Sequence, residues 1–312
     1  MNAVSLSPAA TIPASVDSTS GVVVQHSAVP AEIGLFAPSA WPTATRETLR
    51  VLGPAAEERG FSAIWVSEHV ATFESRRATT GYGEAGTFDP VVLLTYLAAC
   101  TSRIRLGTGV ALISQRQPLF FAKEIASLDQ LSGGRVDVGA GVGWIHEEFQ
   151  ALGLRREDRG RTADRNLEIL VTLWTDPVSE YHGPGVDLAP SRAYPKPVQQ
   201  PHPPLYIGGH SDAALRRVAR FGQGWYPFGV DVTTFAERRV ALEGFLRQED
   251  REIDDLRVAV CPYRHPSGYD DVCRYLDAGA GQVVLNAAQA DGDSLLAHLD
   301  ALTDRVVARI GT

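Results

Sequence analysis

Short apolar runs alternate with helix-patterned stretches along almost the whole chain, and this alternation restricts the fold more than any other feature. The first run is "EIGLF" (32–36). It is followed by "TATRETLRVLGPAAEERG" (43–60), where Leu49, Leu52 and Ala56 recur at helical spacing and Gly60 marks the stop. Pro54 is awkward inside that helix. A second strand, "SAIWVS" (62–67), leads to a long polar loop, 70–88, and a helix, 89–102. The third strand is "IRLGTGVALI" (104–113), followed by a helix over 117–132 that ends at Gly133 and Gly134. The fourth, "VDVGAG" (136–141), precedes helical stretches near 145–153 and 160–175. Residues 176–203 break the rhythm as a proline-rich insertion with no clear helix. Strands "LYIGG" (205–209), "GWYPF" (224–228), "RVAV" (257–260) and "QVVLN" (282–286) then alternate with helices over 211–221, 231–250, 268–278 and 291–308.

Eight strands, each followed by a helix, predict an α/β protein of the (β/α)8 TIM-barrel type with insertions at strand-end loops. Strands apolar nearly throughout are buried on both faces, as in parallel sheets. The rival, an open doubly wound sheet, expects a GxGxxG turn after the first strand, and "LFAPSAWP" has none. One barrel domain is expected over 31–312. Residues 1–30, rich in Ala, Ser, Pro, Val and Thr, read as a flexible tail without the basic start and apolar centre of a secretory signal. A start codon placed too far upstream would read the same.

The formal net charge of −8 argues against a nucleic-acid partner, because phosphate backbones need a basic surface. No run approaches 18 uninterrupted apolar residues, so no membrane span is expected. Cys100, Cys261 and Cys273 are far apart and form no CxxC pair, which suits a reducing cytoplasm better than a disulfide framework.

In a barrel of this kind the active site sits at the C-terminal ends of the strands. His69, just past strand two, could exchange a proton near neutral pH. Glu68 could orient the imidazole, bond a polar cofactor edge, or be an ordinary solvated acid. Gly107 and Gly109 flank Thr108 and strip the surface of strand three. That suits either a flat ring lying on the backbone or a crowded barrel interior. "VGAGVGW" (138–144) contributes Gly141 and Gly143 to a glycine-rich turn that could hold an anion. The sharpest phosphate candidate is "LYIGGHSDAALRRVARFG" (205–222), where Gly208, Gly209, His210 and Ser211 open a helix and free N–H groups over 209–212 would meet an anion. No metal is expected: His146, Glu147 and Glu148 lack the two-histidine HExxH spacing and read as an exposed helix face. Arg155, Arg156, Arg159 and Arg161, mixed with acids, read as a solvated face. Trp41, Phe73, Trp144 and Trp225 could line an apolar substrate space or simply be core. Loops 70–88 and 176–203 are the candidate lids.

Four segments together, "GFSAIWVSEHV", "RIRLGTGVALISQRQP", "DQLSGGRVDVGAGVGWIHEEFQALG" and "LYIGGHSDAALRRVARFGQGW", resemble the luciferase-like monooxygenase superfamily. The similarity runs from about residue 32 to the C-terminus and is nearest to the branch of oxidoreductases that use the deazaflavin F420. The resemblance implies a barrel, usually a homodimer, with F420 or FMN at the strand ends and a small organic substrate. It implies that His69 stands near the reactive ring carbon, in "SEH" where many relatives have "SDH". It also implies a strand-three bulge with a cis peptide between Gly109 and Val110 behind the ring, and a phosphate loop at Gly208–Gly209. Trp144 stands where some deazaflavin relatives carry a glutamate, so no catalytic acid is inherited there. The expected activity is hydride transfer with F420. The alternatives are an FMNH2-dependent monooxygenase using O2 and a non-catalytic flavin-binding barrel subunit.

Overall fold

A computed structural model of the chain describes residues 31–40, 43–76, 86–288, 290, 292 and 294–310. The tail expected over 1–30 lies outside the described residues. Strand β1 (Glu32–Phe36) leads to helix α1 (Arg46–Glu58), and β2 (Ala63–Val66) leads to α2 (Pro90–Cys100). β3 (Arg105–Thr108) and β4 (Ala111–Leu112) precede α3 (Pro118–Ser132), and β5 (Val136–Gly141) precedes α4 (His146–Ala151) and α5 (Arg159–Thr175). A hairpin of β6 (Ser179–Gly183) and β7 (Val186–Ser191) follows. Then come β8 (Leu205–Gly208), α6 (Asp212–Phe221), β9 (Gly224–Tyr226) and α7 (Val232–Gln248). β10 (Arg257–Val260), α8 (Tyr269–Asp277), β11 (Gln282–Asn286) and α9 (Leu295–Leu302) complete the alternation, with a π-helical turn at Thr303–Val307 before the last short helix.

Parallel pairing runs β3–β2–β1–β11–β10–β9–β8–β5 and returns from β5 to β3, so the sheet closes on itself. β4 continues the line of β3, which leaves eight positions in the barrel. The expected single strand over 104–113 is therefore split. Leu106 faces Val136 before the break, and Ala111 faces Ala140 after it. Five steps on one strand against four on the other is a β-bulge with one extra residue.

Alternation sorts the strand side chains into two cores. Ile33, Leu35, Ile64, Val66, Val138, Ile207 and Val283 point outward against the helices. Phe36, Trp65, Tyr206, Tyr226, Ala259, Cys261 and Val284 fill the barrel itself. Rings of that size need bare backbone opposite them. A Cβ on Gly107 would lie 2.3 Å from the Trp65 ring, and one on Gly139 would lie 1.9 Å from the Thr108 carbonyl oxygen. Of the two readings of the strand-three glycines, crowding thus accounts for Gly107.

Local signals fix the helix ends. Asp89 accepts from the N–H groups of Val91 (2.9 Å) and Val92 (3.0 Å) ahead of Pro90, and Gly133 closes α3 in the left-handed region at φ 70°. Pro54 is accommodated within α1, which continues to Glu58. The insertion over 176–203 contains the β6–β7 hairpin, which the proline content concealed. It joins the end of α5 to the start of β8, so both its ends lie at the face opposite His69. Its bonds run to α5 and α3, with Arg165 Nη1 donating to Pro184 O at 2.6 Å and Gln130 Nε2 donating to Lys196 O at 2.9 Å. Of the other candidate lid, 70–88, residues 77–85 lie outside the described residues.

At that opposite face Glu57 of α1 accepts from the N–H groups of Ser102 (3.0 Å), Arg103 (2.7 Å) and Ile104 (2.9 Å). Burial pushes this carboxyl up, but the N–H groups of Ile104, Arg103 and Ser102 outweigh it and hold the pKa at about 2, below the ordinary 4.5. A pKa depressed by folding contributes stability that is present above the unfolded value and lost as pH falls through the folded one. Glu57→Gln is expected to cost about 2 kcal/mol at neutral pH. In denaturant titrations the gap to the parent protein should shrink between the ordinary value of 4.5 and about 2. Gly107→Ala should lower stability by about 1–3 kcal/mol through the clash with Trp65, read as a fall in melting temperature. An unchanged melt would contradict the packing described for the interior.

Candidate active site at the strand ends

His69 sits three residues past the end of β2, with its side chain 8 % exposed. Its backbone is pinned to Thr87: the His69 N–H donates to Thr87 Oγ1 at 3.1 Å, and that hydroxyl donates to His69 O at 3.2 Å. Its imidazole Nδ1 lies 3.0 Å from Oε1 of Glu148 on α4. The Val70 N–H donates to the same oxygen at 3.1 Å, which marks Oε1 as an acceptor and Nδ1 as the donor. Trp144 stands edge-on to the imidazole, with ring centres 6.2 Å apart. Glu148 is fully buried, and its second oxygen, Oε2, has no hydrogen-bond partner among the described residues.

The partner of His69 is thus Glu148, and two expectations are corrected. Glu148 does not belong to an exposed helix face. Glu68 does not orient the imidazole: its Oε2 accepts from the Leu112 N–H at 2.7 Å, and its Oε1 accepts from Arg116 Nε at 2.8 Å. Arg116 also reaches Asp89 at 2.5 Å and Glu124 at 3.2 Å, so it ties the end of β2 to the loop after β4 and the start of α2. Both oxygens of Glu68 serve this brace. Thr108 is likewise spent on structure, fully buried with its hydroxyl donating to Gly139 O at 2.8 Å.

The Gly109–Val110 peptide is cis, and the Gly109 N–H donates to Val66 O at 2.7 Å. Val110 is half-buried at the mouth of the barrel. A Cβ on Gly141 would lie 2.4 Å from Val110 Cγ2, and one on Gly208 would lie 2.9 Å from Val110 Cγ1. Glycines at the ends of β5 and β8 therefore keep a seat open for this one side chain. Gly143, with φ 70°, lies against Gln115 in the same way, 2.8 Å from Nε2 at the Cβ position.

The Gly208–Gly209 turn enters α6 as expected, with Ser211 capping the Ala214 N–H at 3.3 Å and His210 and Ser211 exposed. Gly209 has φ 96°, and its N–H already donates to Tyr226 O at 3.3 Å, so it is not one of the free donors. The amides of His210 and Ser211 carry no hydrogen bond among the described residues. Arg217 and Arg220 of the same helix are paired with Asp164 (2.5 Å) and Glu168 (2.6 Å).

The aromatic expectations divide. Trp144 is at the site, 49 % exposed, and Phe73 is half-buried in the 70–88 loop; Trp41 lies outside the described residues. Trp225 faces away from the mouth: it is buried, stacked on Phe235 at 5.5 Å, and donates Nε1 to Gly209 O at 2.8 Å. The rings that do meet at the mouth are Phe36, Phe228 and Tyr263, with centres 5.3, 5.8 and 4.7 Å apart. Nearby Cys261 is fully buried, and burial pushes its thiol up to about 12, so it stays protonated and offers no thiolate.

The barrel is thus closed, with a carboxylate-held histidine and a bulged third strand at its mouth. The family model of luciferase-like monooxygenases matches residues 32–268, and the chain belongs to this family of oxidoreductases. The resemblance read from the four sequence segments is borne out at that level. The chain is 34% identical over 263 residues to an uncharacterized protein of Mycobacterium tuberculosis, covering 80% of this chain and 91% of the relative. It is 28% identical over 219 residues to the FMNH(2)-dependent dimethylsulfone monooxygenase of Pseudomonas putida, covering 69% of this chain and 54% of that protein. The coenzyme F420 dependent tetrahydromethanopterin reductase of Methanopyrus kandleri shares the fold with a TM-score of 0.70 at 18% identity, covering 90% of this chain and 100% of the reductase. Among the described residues no helix is long and apolar enough to cross a membrane, and no cluster of ligating side chains could hold a metal.

The brace gives a direct test. Arg116→Ala would leave the buried Glu68 carboxylate without its counter-charge, at an expected cost of about 3 kcal/mol. A melting temperature within a degree of the parent would show that the Leu112–Arg116 loop is held by other means.

Proposed function

We propose that this chain is an F420-dependent oxidoreductase that transfers hydride to or from a small organic substrate, with His69 handling the accompanying proton. The observation that carries this reading is the buried His69–Glu148 pair beside the half-exposed Val110. An imidazole whose Nδ1–H is held by a carboxylate keeps Nε2 as the nitrogen that gains or loses a proton, and the carboxylate stabilises the imidazolium when it forms. The residues fit a flat ring with a phosphate-bearing tail. Val110 offers a small apolar support from a seat that glycines of two strands keep open, and the free amides of His210 and Ser211 open a capped helix of ten residues. Bound F420 supplies the hydride chemistry. The chain's own residues support, orient and shield: Val110 behind the ring, His69 beside the reacting face, and Phe36, Phe228 and Tyr263 as an apolar wall for the substrate.

A second reading keeps every residue role and replaces F420 with reduced FMN and O2. It is supported by the dimethylsulfone monooxygenase among the relatives.

Fluorescence titration of the purified chain with F420 and with FMN distinguishes the two. Tight FMN binding with no affinity for F420 would move the assignment to the second reading, and no binding of either would remove both. His69→Ala is expected to lower turnover about 10²–10⁴-fold while the dissociation constant stays within a few-fold of the parent. An unchanged rate would withdraw the proton-transfer role.

A further inference from the structure

One side chain at the mouth has no role in what precedes. Gln115 lies in the loop between β4 and α3, and both ends of its carboxamide, Nε2 and Oε1, are buried without a hydrogen-bond partner among the described residues. A buried polar group left unpaired costs about 1–3 kcal/mol, and native structures rarely leave one without a reason.

The loop cannot relax to relieve it. The Ile113 N–H donates to Gly141 O at 2.9 Å, and the Gln115 N–H donates to Leu112 O at 2.8 Å. Ser114 Oγ donates to Val142 O at 2.9 Å, and Asn166 Nδ2, buried on α5, donates to Ile113 O at 2.8 Å and Arg116 O at 3.2 Å. Glu68 holds Leu112 and Arg116 from below. Every residue around Gln115 is fastened, and Gly143 carries no side chain where the carboxamide lies.

We infer that Gln115 binds the imide edge of the cofactor's pyrimidinedione ring. This rests on the cofactor reading above but not on the choice between F420 and FMN, because deazaflavin and flavin share that ring. A carboxamide presents a donor and an acceptor side by side, and its complement is a group with an N–H next to a carbonyl, as an imide has. The position agrees. Val110 lies against Gly141 at the end of β5, and Gln115 lies against Gly143, two residues further along the same chain. A three-ring cofactor resting on Val110 would have Gln115 as a neighbour on that side. The stripped backbone at Gly143 therefore serves the carboxamide, which in turn meets the ring.

The test uses the purified full-length chain, with FMN, F420 and an FMN analogue methylated on the imide nitrogen as probes. Gln115→Met keeps the length of the side chain and removes both polar atoms. It should weaken FMN or F420 binding about 10- to 100-fold. The melting temperature of the cofactor-free protein should stay the same or rise, because an unpaired buried amide has been removed. The parent protein should bind the methylated analogue more weakly than FMN, and Gln115→Met should bind the two alike. Equal affinity of parent and variant for the parent's cofactor would overturn the inference, as would a lowered melting temperature with affinity intact. A parent protein that binds neither ring overturns the cofactor reading itself, and this inference with it.

Discussion

The indole of Trp65 takes the centre of the barrel, and Gly107 on the next strand leaves the room for it. The same exchange of ring against bare backbone recurs where Tyr206 faces Gly224. Below this layer Trp65 Nε1 donates to Gln282 Oε1 at 2.8 Å, and Arg105 holds the fully buried Asp137 at 2.6 Å, so the strand starts are sealed by paired polar groups. A barrel filled in this way has no passage through it. The strand ends remain open, and His69, Glu148, Val110 and Gln115 are gathered there.

Much of this was legible in the residues. Strand runs and helix stops place all eight barrel units, because burial on both faces of a parallel strand leaves an unbroken apolar signature. His69 is found by position alone, three residues past a strand end. The misreadings share a physical cause: each depended on which way a side chain points. β9 is only three residues long, too short for its alternation to decide between the two readings of Trp225, and the structure puts it in the core. Glu148 looked like one more acid in "IHEEF", although its buried neighbour Phe149 shows that this edge of α4 turns inward. Glu68 and Glu148 are both near His69, and only the fold decides which oxygen reaches the imidazole. The β6–β7 hairpin was hidden because proline suggests irregular chain, whereas here Pro184 sits in the turn and Pro190 in a strand paired on one side only.

Two acids next to one catalytic candidate are thus put to different uses. Glu68 fastens backbone, through Leu112 and Arg116, while Glu148 fastens a side chain that can change charge. The loop after β4 owes its shape to groups outside it, Glu68 from strand two and Asn166 from α5. Arg116 and Ser114 add their own side chains to that hold, through Glu68 and the Val142 carbonyl, while the Gln115 carboxamide takes no part in it.

The bulge in strand three also changes the phase of the strand. Before it, Arg105, Gly107 and Gly109 face the interior; after it, Val110 does, while Ala111 and Ile113 join the outer core. Two consecutive residues therefore look into the barrel at one height. Removing a single residue there would leave the composition of the strand nearly untouched, yet it would turn the following segment inside out, sending outer-core methyl groups into the mouth. Among lineages descended from such a barrel, strand three should tolerate exchange of residues far more readily than a change in their number.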